Sequence, residues 1–97
     1  MDVICINSKF SQEQLEFYSN FGVSIPKENT MYSIRQIRYD RGKHGLLLNE
    51  LNNPEVPIKS LIKGVIFIEP SWDSNRFTTL LGEKISLEEL ETIKKEN

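Results

Sequence analysis

The sequence predicts one mainly β domain: a small open barrel of about five strands with a helix inserted early and a short helix at its end. Three observations lead to this prediction. The chain has 97 residues, the length of a single domain. Short apolar stretches alternate with turn residues through the middle of the chain, as in small barrels. Two other segments carry helix-capping signals instead. The barrel is expected over residues 1–82 and the helical extension over 83–97.

The first strand and the first helix follow from local signals. Residues 3–6 (VICI) are short, apolar and rich in β-branched side chains, which favours a buried strand. Ser11 can cap a helix, and Gln14 three positions later completes a capping box. The helix is predicted over residues 12–20, before Gly22. Cys5 is expected to pack in the first strand as a small apolar side chain, because reactive thiols need an accessible, electropositive setting.

The middle of the chain carries β patterns. The further predicted strands cover residues 30–39, 45–51, 65–68 and 77–81. In the first of these the apolar positions change phase, so that Ile34 and Ile37 share a face only if a β-bulge lies near residues 35–36. Such a bulge would turn Arg35 and Arg38 toward solvent. The stretch 65–68 (VIFI) is predicted to be a buried strand, because it is uniformly apolar.

The connections and the last helix complete the prediction. Residues 54–63 are expected to form a polar loop, and residues 71–75 a tight turn or a single 3₁₀ turn. Ser86 followed by Glu89 forms a second capping box, which predicts a helix over residues 87–95. This helix has few apolar residues, so it is expected either to dock lightly on the barrel or to pack on a partner. An α+β sheet with both helices on one face is the alternative fold.

Composition excludes several function classes. The formal net charge is −2, without the strong basic excess of a dedicated duplex-DNA binder. A single cysteine excludes an intramolecular disulfide and a cysteine-rich metal site. The longest apolar run, residues 65–68, is far too short to span a membrane, and the first residues do not resemble a signal peptide. We therefore expect a cytoplasmic location and no membrane partner.

Few residues are suited to catalysis or metal binding. His44 is the only histidine and lies in a polar turn beside glycines, so it is expected to be exposed rather than catalytic. A structural zinc site needs about four cysteine or histidine ligands, and this chain has two such residues. A carboxylate pair such as Glu50 with Glu69 remains an alternative, although solvated or satisfied glutamates are far more common. The sequence predicts no enzyme, no metal and no cofactor.

Four basic residues in the second predicted strand and the turn after it are one candidate binding site. The four members are Arg35, Arg38, Arg41 and Lys43. On one face of a hairpin they could hold phosphates of RNA or single-stranded DNA, as small barrels sometimes do. The alternative is an ordinary solvated hairpin, which is the more frequent outcome for such charges.

Trp72 and Arg76 are the second candidate. Trp72 could be a recognition aromatic beside a proline-bearing loop, and Arg76 could reach a carboxylate on a partner. The alternative places Trp72 in the core at the barrel seam. Arg76 would then pair with Glu69 or Glu50.

Four segments also occur in a fixed order: VICI at 3–6, YSIR at 32–35, GLLLNEL at 45–51 and EPSWDSNRF at 69–77. This order resembles a group of short phage and prophage proteins of unassigned function. Their pattern is a Val-Cys-Val-like strand, a Tyr-x-Val-Arg strand, a Gly-Leu-Leu-Leu-x-Glu strand and a closing Glu-x-x-aromatic-x-x-x-Arg-Phe. The resemblance implies an SH3-like barrel and a mobile-element origin, but no catalytic residue and no ligand. Both predicted helices depart from the pattern.

The predicted function is a non-enzymatic binding module, with protein–protein interaction, including self-association, as the leading hypothesis. Balanced charge, the lack of a catalytic set and the accessory terminal helix favour it. Nucleic-acid binding through residues 35–43 is the alternative.

Overall fold

The fold was examined in a computed structural model, which describes residues 1–40 and 42–96. Its strands are β1 (Asp2–Cys5), β2 (Met31–Asp40), β3 (Lys43–Leu48), β4 (Val56–Ser60), β5 (Gly64–Ile68), β6 (Trp72–Asp73) and β7 (Phe77–Thr78). Its helices are α1 (Gln12–Asn20), α2 (Leu87–Glu96) and a 3₁₀ helix at Ser74–Arg76. The prediction of a mainly β chain with two peripheral helices is confirmed.

The strands form two separate antiparallel sheets. The main sheet has the order β6-β3-β2-β1-β7, and β4 pairs with β5 in a hairpin of its own. Over the residues that the structure describes, these sheets are not closed into a barrel. The structure has seven strands where about five were expected. The strand predicted at 65–68 belongs to the separate hairpin, and Trp72–Asp73, expected in a turn, forms β6 of the main sheet.

The bulge that the sequence predicts lies in β2. The pairing of β2 with β3 shifts register between Ile34 and Gln36. Ile34 and Ile37 are both buried, since the extra residue brings both side chains to the core face. The phase change in the apolar pattern was therefore sufficient to place the bulge.

The core lies against one face of the main sheet. Its fully buried side chains include Val3, Cys5, Leu46 and Leu48. Helix α1 begins at the predicted capping box, in which Ser11 and Gln14 bond each other's backbone. Ahead of α2, the Ser86 hydroxyl accepts a hydrogen bond from the Glu89 N–H at 3.1 Å. Leu90 of α2 is 1% exposed, so this helix docks on the chain's own core.

Two further segments differ from the prediction. The expected polar loop at 54–63 contains strand β4. The segment 65–68 forms most of strand β5, as expected, but it is not fully buried, since Val65 is 60% and Phe67 is 62% exposed. Pro57 argued against a strand, but a proline is tolerated where its nitrogen faces away from the neighbouring strand. Val65 and Phe67 are exposed because they lie on the face of the hairpin that is turned away from the groove toward the main sheet, which Ile66 and Ile68 line.

The described residues are somewhat longer in one direction than in the others. The extents are 37 × 28 × 20 Å, and the radius of gyration is 13.5 Å. A compact domain of this length would have a radius of gyration of about 12.5 Å. Neither helix within the described residues has the length and apolar character needed to cross a membrane.

Candidate functional site

Arg35 and Arg38 both hold Glu69 rather than pointing freely into solvent. The Arg35 Nη2 lies 2.7 Å from the Glu69 Oε2, in an ion pair with side chains 30% and 17% exposed. The Arg38 guanidinium donates to the main-chain carbonyl of Glu69. The expectation that both arginines face solvent after the bulge is therefore wrong. Their partner lies more than thirty residues away in the chain, which local patterns do not reveal.

Glu69, which follows β5, also bonds the segment that precedes β4. Its Oε2 accepts a hydrogen bond from the Asn53 N–H at 3.1 Å. The Asn53 side chain in turn bonds both the N–H and the carbonyl of Ser24, at 2.8 and 3.0 Å. We call Arg35, Arg38, Asn53 and Glu69 the Glu69 clamp. Because residues 53 and 69 flank the hairpin, the clamp fixes its base to the main sheet.

The other two basic candidates lie apart from the clamp. The Lys43 side chain is 72% exposed, and its Nζ lies 3.8 Å from an Asp73 carboxylate oxygen. Arg41 lies outside the described residues. Among the basic candidates that the structure describes, Lys43 is thus the most exposed, and the patch does not assemble as one free cationic face.

Trp72 and Arg76 both make contacts within the folded chain. Trp72 is 2% exposed, and its ring lies 5.8 Å from Phe10 and 5.4 Å from Tyr18 between centroids. The Arg76 guanidinium stacks 3.9 Å from the Phe10 ring centroid and donates to the carbonyls of Asn7 and Lys9. Trp72 therefore belongs to the core. Arg76 fixes the chain between β1 and α1, and its bonds are not to Glu69 or Glu50.

Among the described residues, three titratable groups are perturbed by their surroundings. Glu50 accepts hydrogen bonds from the Ser33 N–H at 2.8 Å and the Ser33 hydroxyl at 2.9 Å, and the backbone bond is the main cause of a lowered Glu50 pKa. Desolvation raises the pKa of the Cys5 thiol and of the Tyr18 phenol. A raised thiol pKa disfavours the reactive thiolate, in agreement with a packing role for Cys5.

His44 is buried, so the prediction of an exposed turn residue is wrong. It is 7% exposed, its Nε2 lies 3.1 Å from the Glu91 Oε1 of α2, and its ring is 4.9 Å from Tyr39. Asp40 pairs with Lys43, so the turn is shorter than expected and His44 lies inside β3. Over the described residues, no three histidine, cysteine or acidic side chains come close enough to hold a metal ion.

The β4–β5 hairpin carries several apolar side chains that are exposed to solvent. Its most exposed apolar residues are Leu61 (96%), Ile62 (93%), Val65 (60%) and Phe67 (62%). The tip is an ordered turn, because the Ser60 hydroxyl accepts hydrogen bonds from the N–H groups of Ile62 and Lys63. Gly64 then adopts φ +73°, a conformation that favours glycine. The hairpin is therefore a defined element that presents apolar side chains to solvent.

Both faces of this hairpin are apolar. Directly paired residues share a face, so Pro57 and Phe67 lie together on the outer face, beside Lys59 and Val65. The inner face holds the pairs Val56 with Ile68 and Ile58 with Ile66. It borders an open groove of about 900 Å³ toward the main sheet and α1.

The sequence contained a signal for this hairpin. Residues 56–68 include eight aliphatic or aromatic side chains besides Pro57, two lysines and no acidic residue. A strand that is apolar on both faces is normally covered on both faces. The outer face of β5 lacks such a cover within the described residues. Comparison with protein-family models, with curated proteins and with solved structures finds no match for this chain.

Proposed function

We propose that this chain is a non-enzymatic protein-binding module and that the β4–β5 hairpin is its docking element. The observation that carries the proposal is the exposure of Leu61, Ile62, Val65 and Phe67 on one ordered hairpin. Single exposed apolar residues are common on protein surfaces, but a contiguous apolar patch marks an interaction site. The Glu69 clamp fixes the base of the hairpin that carries this patch to the main sheet.

The same geometry favours a protein partner over a nucleic acid. Binding of single-stranded nucleic acid needs a cationic groove with aromatic rings on which bases stack. Arg35 and Arg38 already bond Glu69, and Lys43 lies beside Asp73. The exposed hairpin offers Lys59 and Lys63 around a surface that is otherwise aliphatic, with Phe67 as its aromatic ring.

An SH3-like architecture and a mobile-element origin are part of this proposal. Their support is the ordered set of motifs in the sequence, together with the five-stranded antiparallel sheet and the bulge in β2. A bulge of this kind bends a strand as small barrels require. The peripheral helices and the projecting hairpin are then additions to that architecture.

The proposal is tested by site-specific photo-crosslinking in host lysate. Phe67 is replaced by a photoreactive phenylalanine analogue, and the matched control carries the same analogue at the exposed Glu88 of α2. We expect protein adducts from position 67 that an excess of unlabelled wild-type chain suppresses and an excess of the Phe67→Ser chain does not. The same adducts in the same yield from positions 67 and 88 would contradict the proposal. Adducts at position 67 that nuclease treatment removes would also contradict it.

A further inference from the structure

The proline in β4 determines which backbone groups of the hairpin face outward. Pro57 has no N–H, yet it is paired with Phe67 in the ladder. This pair must therefore be a non-hydrogen-bonded pair, and the flanking pairs Val56 with Ile68 and Ile58 with Ile66 exchange the bonds. It follows that the N–H and carbonyl groups of Val65 and Phe67 point away from β4.

The two edges of the hairpin consequently differ. On the β4 edge, Pro57 has no donor to offer and Lys59 carries a charge, and both features protect an edge from pairing. The β5 edge has neither kind of protection between Gly64 and Ile68. Its outward backbone groups belong to Val65 and Phe67, which are also the residues with exposed apolar side chains on the outer face. The open β5 edge is thus suited to the addition of a further strand.

We infer that the strand added to this edge is β5 of a second copy of the chain, in antiparallel, two-fold symmetric pairing. The inference rests on the proposed function and names its partner. Outward groups at 65 and 67 bond each other when Val65 of one copy lies opposite Phe67 of the other. On the outer face this register forms a cluster of valine–phenylalanine pairs, which is a favourable cross-strand combination. At its centre, Ile66 faces Ile66 of the second copy.

The charges around β5 fit the same register. Lys63 precedes β5 and Glu69 follows it, and the stretch between them has no charge. Lys63 lies in the turn at the hairpin tip, and the Glu69 carboxylate bonds Arg35. Antiparallel pairing therefore brings the lysine end of one β5 beside the glutamate end of the other, whereas in-register parallel pairing would place the two lysine ends together.

The other edge makes the assembly finite. A two-fold interface uses the same surface on both copies and leaves only the outer β4 edges. Pro57 blocks these edges, so the four-stranded sheet β4-β5-β5-β4 does not grow further. The edge is short, and its contact is smaller than the roughly 800 Å² per partner of a standard stable interface. We therefore expect a dimer that dissociates on dilution rather than a permanent one.

A pair of proline variants tests the pairing by sedimentation velocity over micromolar to millimolar concentrations. Val65→Pro removes the outward donor of the β5 edge, and Lys59→Pro makes the same change on the β4 edge, directly across the hairpin. Neither substitution removes a donor used inside the hairpin. We expect wild type and Lys59→Pro to dimerise with rising concentration and Val65→Pro to stay monomeric. A wild type that is monomeric throughout, or equal effects of both prolines, would overturn the inference.

A second measurement covers the case in which Val65→Pro does not fold. Non-hydrogen-bonded antiparallel neighbours have Cα atoms about 4.5 Å apart, within the range that a disulfide spans. Ile66→Cys should therefore give a disulfide-linked dimer with oxidised glutathione, and the control Ile58→Cys, on the same face of β4, should not. Absence of the Ile66→Cys dimer would count against the register, since native Cys5 is buried and does not compete.

The two proposals fail in different ways. If crosslinks at position 67 identify a different protein while the purified chain stays monomeric, the docking hairpin stands and the second copy is refuted. If the adduct has twice the mass of the chain and Val65→Pro abolishes it, both proposals are supported. If position 67 gives no specific adduct and the chain is monomeric, both are refuted.

Discussion

Neutralising Glu69 should destabilise the fold, because its carboxylate accepts bonds from both the Arg35 guanidinium and the Asn53 N–H. A hydrogen bond that involves a charged group contributes about 1.5–3 kcal/mol. Both bonds go to the same oxygen, Oε2, so Glu69→Gln can keep both acceptor contacts and loses the charge opposite Arg35. Solvent screens the pair, since the side chains are 30% and 17% exposed. We therefore expect a loss near the lower end, about 1.5 kcal/mol of unfolding free energy.

The loss is measured by thermal and urea unfolding followed by circular dichroism. For a domain of this size, about 1.5 kcal/mol corresponds to a decrease in Tm of roughly 6–12 °C. The matched control is Glu55→Gln, at an exposed glutamate in the segment before β4, which should change stability by less than about 0.5 kcal/mol. A double-mutant cycle with Arg35→Met isolates the pair energy. If Glu69→Gln is as stable as Glu55→Gln, the clamp does not stabilise the hairpin base.

Three further predictions concern single groups. The lowered Glu50 pKa means that Glu50 stabilises the fold above its ordinary pKa of 4.5 and that this contribution disappears as pH falls through the folded-state pKa. Glu50→Gln should thus lower the free energy of unfolding at neutral pH, by no more than about 1 kcal/mol for so exposed a group. Urea unfolding at several pH values should show this difference from wild type vanish in acid, and a constant difference would refute the reasoning. Cys5 is buried with a raised pKa, so thiol reagents should label it only after denaturation, and rapid labelling of the native chain would show that β1 opens. Trp72→Ala should cost about 3–5 kcal/mol in urea unfolding, whereas a surface role for Trp72 would leave stability near that of wild type.

Local signals predicted the local elements well. The capping box at Ser11 placed α1 at Gln12–Asn20, and the phase change in the apolar pattern placed the bulge between Ile34 and Gln36. Both are decided within a few residues of the chain. A helix start depends on its own cap, and a bulge depends on the spacing of neighbouring apolar side chains.

Features that depend on distant residues were not predicted. Arg35 was expected in solvent because the bulge turns Ile34 and Ile37 inward. Its partner Glu69 lies 34 residues away in the sequence, and only the folded chain brings the two together. Residues 65–68 were expected to be buried because an apolar strand usually has neighbours on both faces. The sequence pattern does not show whether such neighbours exist. His44 was misplaced because β3 begins at Lys43, two residues earlier than expected, which moves His44 from the turn into β3.

The Glu69 clamp has a consequence for the thermodynamics of association. An isolated two-stranded hairpin is at best marginally stable, so a free hairpin would have to become ordered when it binds. Here the Glu69 bonds hold its base, and the Ser60 hydroxyl orders its tip, before any contact with a partner. Such preorganisation lowers the entropy loss on association. A small interface can therefore still yield measurable affinity, and loosening the clamp should weaken binding even though Glu69 lies outside the apolar surface.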